Sequence, residues 1–120
     1  MVVSWQSRLG GQSLVHFGLE RGALTRTALG ANASSYIDDE SFAHHVLLND
    51  LEPSSRFYYL IDGDEEERSF SSAPAEEDAN TTSFALFGDL GLVNGDATRS
   101  FLSASAADAI DFVWHLGDIG

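Results

Sequence analysis

A chain of 120 residues has room for one domain, or for one small domain and part of another. A formal net charge of −13, from 19 acidic residues against six arginines and no lysine, excludes a polyanion such as DNA or RNA as a partner over most of the surface. The absence of cysteine excludes a disulfide framework or a thiolate metal site, and no apolar run is long enough to span a membrane.

In chain order, Val3 and Trp5 alternate with Val2, Ser4 and Gln6, so the start reads as the inside of a strand. No basic and apolar leader precedes it, so no signal peptide is visible. Leu14 to Phe17 follows a Gly-Gly-Gln turn. A turn over 18–22 and an edge strand over 24–29 come next. Tyr36-Ile37 reads as a short edge strand, 42–48 and 57–61 as stronger strands, and 69–71 as the closing one. Asp62-Gly63-Asp64 is a turn signal before it. The acidic runs at 62–67 and 76–78 read as solvated turns. Asn32-Ala33-Ser34 and Asn80-Thr81-Thr82 fit the glycosylation sequon, so Asn32 and Asn80 are candidate glycan sites. Short strands at this spacing predict an antiparallel β-sandwich over residues 1–75 whose first strand is missing.

The polar, proline-containing stretch near 73–80 predicts a linker, placed at 76–82. The pattern then changes. Ser83 to Phe87 is a compact apolar strand running into Gly88-Asp89-Leu90-Gly91. Asn94 or Asp96 is suited to cap a helix over 97–110, and Phe112 to Leu116 is a second apolar strand ending in Gly117-Asp118-Ile119-Gly120. Strand, helix, strand with nearly all-apolar strands predicts a βαβ unit over 83–120, the start of an α/β sheet left incomplete.

Each of these strands ends in Gly-Asp. The two acids are 118 − 89 = 29 residues apart, close to the roughly 30-residue repeat of a βαβ unit. Right-handed crossover makes the strands parallel and puts both acids on the carboxyl edge, where open α/β sheets bind ligands. Two carboxylates aimed at one point suit hard metal ions, and two-metal sites hydrolyse phosphate esters. Asp89 and Asp118 are therefore the candidate metal ligands.

Phe87-Gly88-Asp89-Leu90-Gly91 and His115-Leu116-Gly117-Asp118-Ile119-Gly120 resemble the first two metal-binding blocks of purple acid phosphatases, within the calcineurin-like metallophosphoesterases. Upstream, the segments 1–6, 45–59 and 70–74 are similar to the fibronectin type III-like domain that precedes the catalytic domain in larger members. The resemblance implies a fibronectin type III-like β-sandwich followed by a truncated α/β metallophosphoesterase βαβ unit. It implies a hydrolase of phosphomonoesters at acidic pH using Fe(3+) and a divalent Fe, Zn or Mn. Asp89 would bind the ferric ion and Asp118 would bridge the two metals. It further implies a glycoprotein that is secreted or lysosomal/vacuolar, and it allows a homodimer. The family's following Tyr, its Gly-Asn-His-Glu block and its later histidine blocks fall outside the chain, so the isolated chain is expected to be inactive and no catalytic set is complete within it.

Other residues carry structural readings. Leu51-x-Pro53-x-Ser55-x-Phe57 resembles a tyrosine corner with Phe57 in place of the tyrosine. His44 and His45 face opposite sides of a strand, and they and His16 are read as structural. His115, three residues before Asp118, is either a packed strand histidine or an outer-sphere partner of the metal site. Trp5 and Trp114 are read as core aromatics, Asp96, Asp108 and Asp111 as cap or surface acids, and Arg99 as a solvated helix residue. Two rival readings stand: a free-standing fibronectin-like binding module with a non-catalytic tail, and a fragment of another metallophosphoesterase.

Overall fold

The computed structural model describes residues 1–36, 41–78, 82–88, 95–103 and 110–117. They belong to two compact units, Met1–Ala75 and Glu76–Gly120.

The first unit is all β. Its strands are β1 (Val2–Ser7), β2 (Leu14–Gly18), β3 (Arg26–Leu29), β4 (Ser34–Tyr36), β5 (Ser41–Leu47), β6 (Arg56–Ile61) and β7 (Arg68–Ser71). They form a three-stranded sheet in the order β1-β5-β4 and a four-stranded sheet in the order β3-β2-β6-β7, paired antiparallel throughout. Both strands expected at edges, β3 and β4, lie at edges.

Period-two alternation explains which residues meet. Along β5, His44 and Val46 are buried while His45 and Leu47 are exposed. On β1, Val3 is buried between exposed Val2 and Ser4. The buried side chains Val3 and Val46 from one sheet meet Val15, Phe17 and Phe57 from the other, with Leu48 just beyond β5, in a single cluster. Two sheets sharing one apolar filling make a sandwich.

Phe57 is fully buried. Its ring lies 5.6 Å from Phe70 in a stacked arrangement and 6.3 Å from Phe17. The corner position thus acts through ring packing, since no hydroxyl is present to bind backbone.

The sheets also share a polar thread. His44, only 4% exposed, stacks on Trp5 at 4.6 Å. Its Nε2 lies 2.8 Å from Ser7 Oγ and its Nδ1 lies 3.0 Å from Ser13 Oγ. Ser7 Oγ spends its own proton on the Leu9 carbonyl, 2.6 Å away, so it accepts from His44 Nε2–H. Ser13 then donates to Nδ1, and both nitrogens of a buried ring are satisfied.

Gly30 is a place where only glycine fits. A Cβ there would fall 2.3 Å from the His45 carbonyl oxygen, which is backbone and has no room to yield.

The second unit contains a short 3-10 helix (Glu76–Asp78) inside the expected linker, then β8 (Phe84–Phe87), α1 (Asp96–Ser103) and β9 (Phe112–His115). β8 and β9 pair in parallel. The helix was expected over 97–110. Its described part begins at Asp96 and ends at Ser103, and residues 104–109 lie outside the described residues. Trp114 corrects its assignment to the core: it is 59% exposed, beside its register partner Leu86 at 53%. An apolar strand sequence marks a residue for burial, but the burial itself has to come from a covering layer.

Phe57→Ala is expected to destabilise the sandwich by about 3–5 kcal/mol, read as a lower urea midpoint at unchanged slope. Gly30→Ala is expected to lower the midpoint as well, although it adds only one methyl group, because the new atom collides with backbone.

Candidate metal centre

The parallel pair β8–β9 builds the frame. Its register runs Phe84↔Phe112, Ala85↔Val113, Leu86↔Trp114 and Phe87↔His115, a constant offset of 115 − 87 = 28. Phe84 stacks on Phe112 at 5.3 Å, and Phe87 meets His115 edge-on at 5.2 Å. The start of the pair is clamped twice: Asp111 N–H donates to the Ser83 carbonyl, and Ser83 N–H donates to Asp111 Oδ2, both at 2.8 Å. Asp111, read only as a cap or surface acid, therefore ties the two strands together. Leu116 N–H donates to the Phe87 carbonyl at 2.9 Å and extends the pairing one step beyond β9.

Both strands thus run the same way and end side by side, each leading into Gly-Asp. Asp89 and Asp118 lie outside the described residues, as do Asn80, Asn94 and Asp108. What the structure supplies is the register that precedes the two acids. The acids are 29 residues apart and the register offset is 28. Were both strands extended as far as the acids, the one-residue difference would send the two side chains to opposite faces. Gly117 breaks that alternation, since its φ of 103° ends the extended backbone one residue before Asp118. Its amide donates to His115 Nδ1 at 3.1 Å, whereas His115 Nε2 is buried and has no partner among the described residues.

Among the described residues, a Cβ on Gly117 would meet nothing within 4 Å, and one on Gly88 would make only ordinary contacts with Leu116 and Gly117 at 3.7–3.8 Å. Carboxylate is the donor class that hard cations prefer, so the two acids fit a metal in kind. In number they do not complete it, because one such ion takes about six donors. Among the described residues, no group of three or more His, Cys, Asp or Glu side chains could hold a metal ion. His44 and His45 face opposite ways: His44 is bound by two serines, and His45 Nδ1 lies 2.8 Å from Ser4 Oγ. His16 Nε2 lies 3.2 Å from Asp62. Arg99 lies 3.5 Å from Asp96 on α1.

Comparison with known proteins gives the family. The sequence profile described as "Purple acid Phosphatase, N-terminal domain" matches residues 1–83. The chain belongs to the purple acid phosphatase family. It is 30% identical over 125 aligned positions to "Acid phosphatase type 7" of Danio rerio, an alignment covering 98% of this chain and 28% of that protein. It is 27% identical over 99 positions to "Acid phosphatase" of Aspergillus ficuum, covering 78% of this chain and 16% of that protein. The chain therefore spans about a quarter or less of the length of these relatives. Among the described residues, no helix is long and apolar enough to cross a membrane.

One electrostatic feature of the sandwich is visible only in the fold. Between β1 and β6–β7 runs a groove of about 420 Å³ whose lining includes Trp5, Tyr59, Asp62, Asp64 and Arg68. Arg68 binds Asp64 Oδ2 and Glu66 Oε2, each at 2.8 Å, so part of the acidic run is fixed to the closing strand. The Arg68 hydrogen bond, with help from the Glu66 and Glu65 amides, holds the Asp64 carboxyl below the ordinary value of 3.8. A depressed folded-state pKa stabilises above the unfolded pKa, and that contribution is lost as pH falls through the folded value. An NMR titration is expected to place Asp64 below 3.8, and Arg68→Gln to move it back up and to remove this acid-dependent part of the stability.

Proposed function

We propose that this chain carries the fibronectin type III-like domain, residues 1–75, and the opening of the metallophosphoesterase domain, residues 83–120, of a binuclear-metal acid phosphatase, with 76–82 as linker. Asp89 and Asp118 are the residues of this chain that would hold the metals, Fe(3+) and a divalent Fe, Zn or Mn. Such a pair of ions, when bound, supplies Lewis-acid polarisation of a phosphomonoester at acidic pH. The chain's own part is to set two carboxylates on neighbouring strand ends with glycine beside each. The observation that carries this reading is the parallel pairing of β8 with β9, because it runs both Gly-Asp segments off the same edge of one sheet. The match of residues 1–83 to the family's N-terminal domain supports the order of the two parts.

The remaining ligand blocks of the family have no counterpart in this sequence. Two carboxylates leave most coordination positions to water, so the isolated 120-residue chain is proposed to bind metal weakly and to be inactive. The family resemblance supports a secreted or lysosomal/vacuolar address. Asn32 is exposed just ahead of β4, as a glycan acceptor has to be.

Calorimetric titration of the chain with Mn(2+) is expected to show weak binding, on the order of millimolar, which Asp89→Asn or Asp118→Asn abolishes. A chromogenic phosphomonoester is expected to show no turnover above buffer. Tight two-site binding with turnover would overturn the inactivity proposed for the isolated chain. Weak binding that survives both substitutions would overturn the ligand assignment.

A further inference from the structure

We propose that His115 is a positioning residue for the metal centre: its Nδ1 holds the Gly117 amide and thereby fixes the turn that delivers Asp118. The metal side of this inference rests on the function proposed above. The turn side rests on the structure alone.

Four observations meet at this residue. His115 is the last residue of β9 and is held there by its register with Phe87 and the edge-on contact between the two rings. Its Nδ1 lies 3.1 Å from the Gly117 nitrogen. Gly117 adopts φ of 103°, the departure from extended backbone that Asp118 needs if it is to join Asp89 on one side of the sheet. Finally, Nε2 is buried, with no hydrogen-bond partner among the described residues.

The chemistry gives the bond a direction. A backbone amide can only donate, so Nδ1 is the acceptor, and in the neutral ring Nε2 carries the proton. A side chain that accepts the amide proton two residues ahead closes a small ring around residues 115–117. This does for the strand end what an Asx turn does elsewhere. Glycine supplies the permitted dihedral, and His115 selects it from the many that glycine can adopt. Outer-sphere partners that orient a metal ligand typically change metal affinity by about 10–100-fold.

Three substitutions in the 120-residue chain separate this role from packing. His115→Asn keeps an acceptor oxygen close to the Nδ1 position. His115→Gln moves its polar atoms toward the Nε2 position and loses the short-range acceptor. His115→Phe keeps the ring and loses both. Without metal, hydrogen exchange of the Gly117 amide is expected to be slow in the native chain and in His115→Asn, and about tenfold or more faster in the other two. Long-range proton–nitrogen NMR is expected to find the His115 proton on Nε2. Mn(2+) affinity, read from paramagnetic broadening near the strand ends, is expected to fall about tenfold in His115→Gln and His115→Phe and to recover in His115→Asn. Equal Gly117 exchange in all four proteins, or a proton on Nδ1, overturns the turn role. The expected exchange order with no Mn(2+) broadening in the native chain overturns the metal centre instead, so the two failures are distinguishable.

Discussion

The parallel register of β8 and β9 is the constraint on which the functional reading depends. Two strands that run the same way deliver their carboxyl ends to one edge, and here each end leads into Gly-Asp. The pairing is fastened at its start by the reciprocal Ser83–Asp111 bonds and along its length by two ring contacts, Phe84 on Phe112 and Phe87 against His115. A slip by one residue would exchange the faces of every side chain on β9. On the function proposed above, the difference between an offset of 28 in the register and 29 between the acids gives the positive φ of Gly117 its significance.

The two units satisfy their apolar strands differently. In the sandwich, alternating side chains from two sheets fill one interior, and the buried ring of His44 has a serine on each nitrogen. In the β8–β9 pair, Phe84, Leu86, Phe112, Val113 and Trp114 remain around half exposed. A parallel sheet reaches its stability with cover on both faces, so these side chains contribute little burial energy as they stand. The sandwich carries its own cohesion, whereas the strand pair leans on backbone hydrogen bonds and ring contacts.

The acidic surface is also less uniform than composition suggests. Arg68 gathers Asp64 and Glu66 beside the groove along β1, and Arg26 lies over the Phe17 ring at 4.5 Å while donating to the Asn49 carbonyl. With only six cations in the chain, such placements decide where negative charge is neutralised and where it stays free.

Much of this was legible in the sequence because it depends on local pattern. Period-two alternation located β1, β2, β5 and β6, polar turns separated them, and the shift to continuous apolar runs after residue 82 marked the parallel strands. The Gly-Asp repeat carries the proposed metal chemistry, since hard cations favour oxygen donors such as carboxylates and the spacing suits a βαβ unit. The sequence could also place His44 and His45 on opposite faces, since alternation needs no partner to be known.

Tertiary structure alone decided whatever depends on a distant neighbour. The serine partners of His44 lie 37 and 31 residues away, and Asp111 finds Ser83 across 28. Trp114 was marked for burial by its type and left exposed by its surroundings. The Gly117 amide as the partner of His115 Nδ1 is likewise seen only in the fold. The physical reason is common to all of these. Side-chain period and turn chemistry are properties of a few consecutive residues, but burial, register and the partner of a polar atom exist only once segments far apart in the chain have been brought into contact.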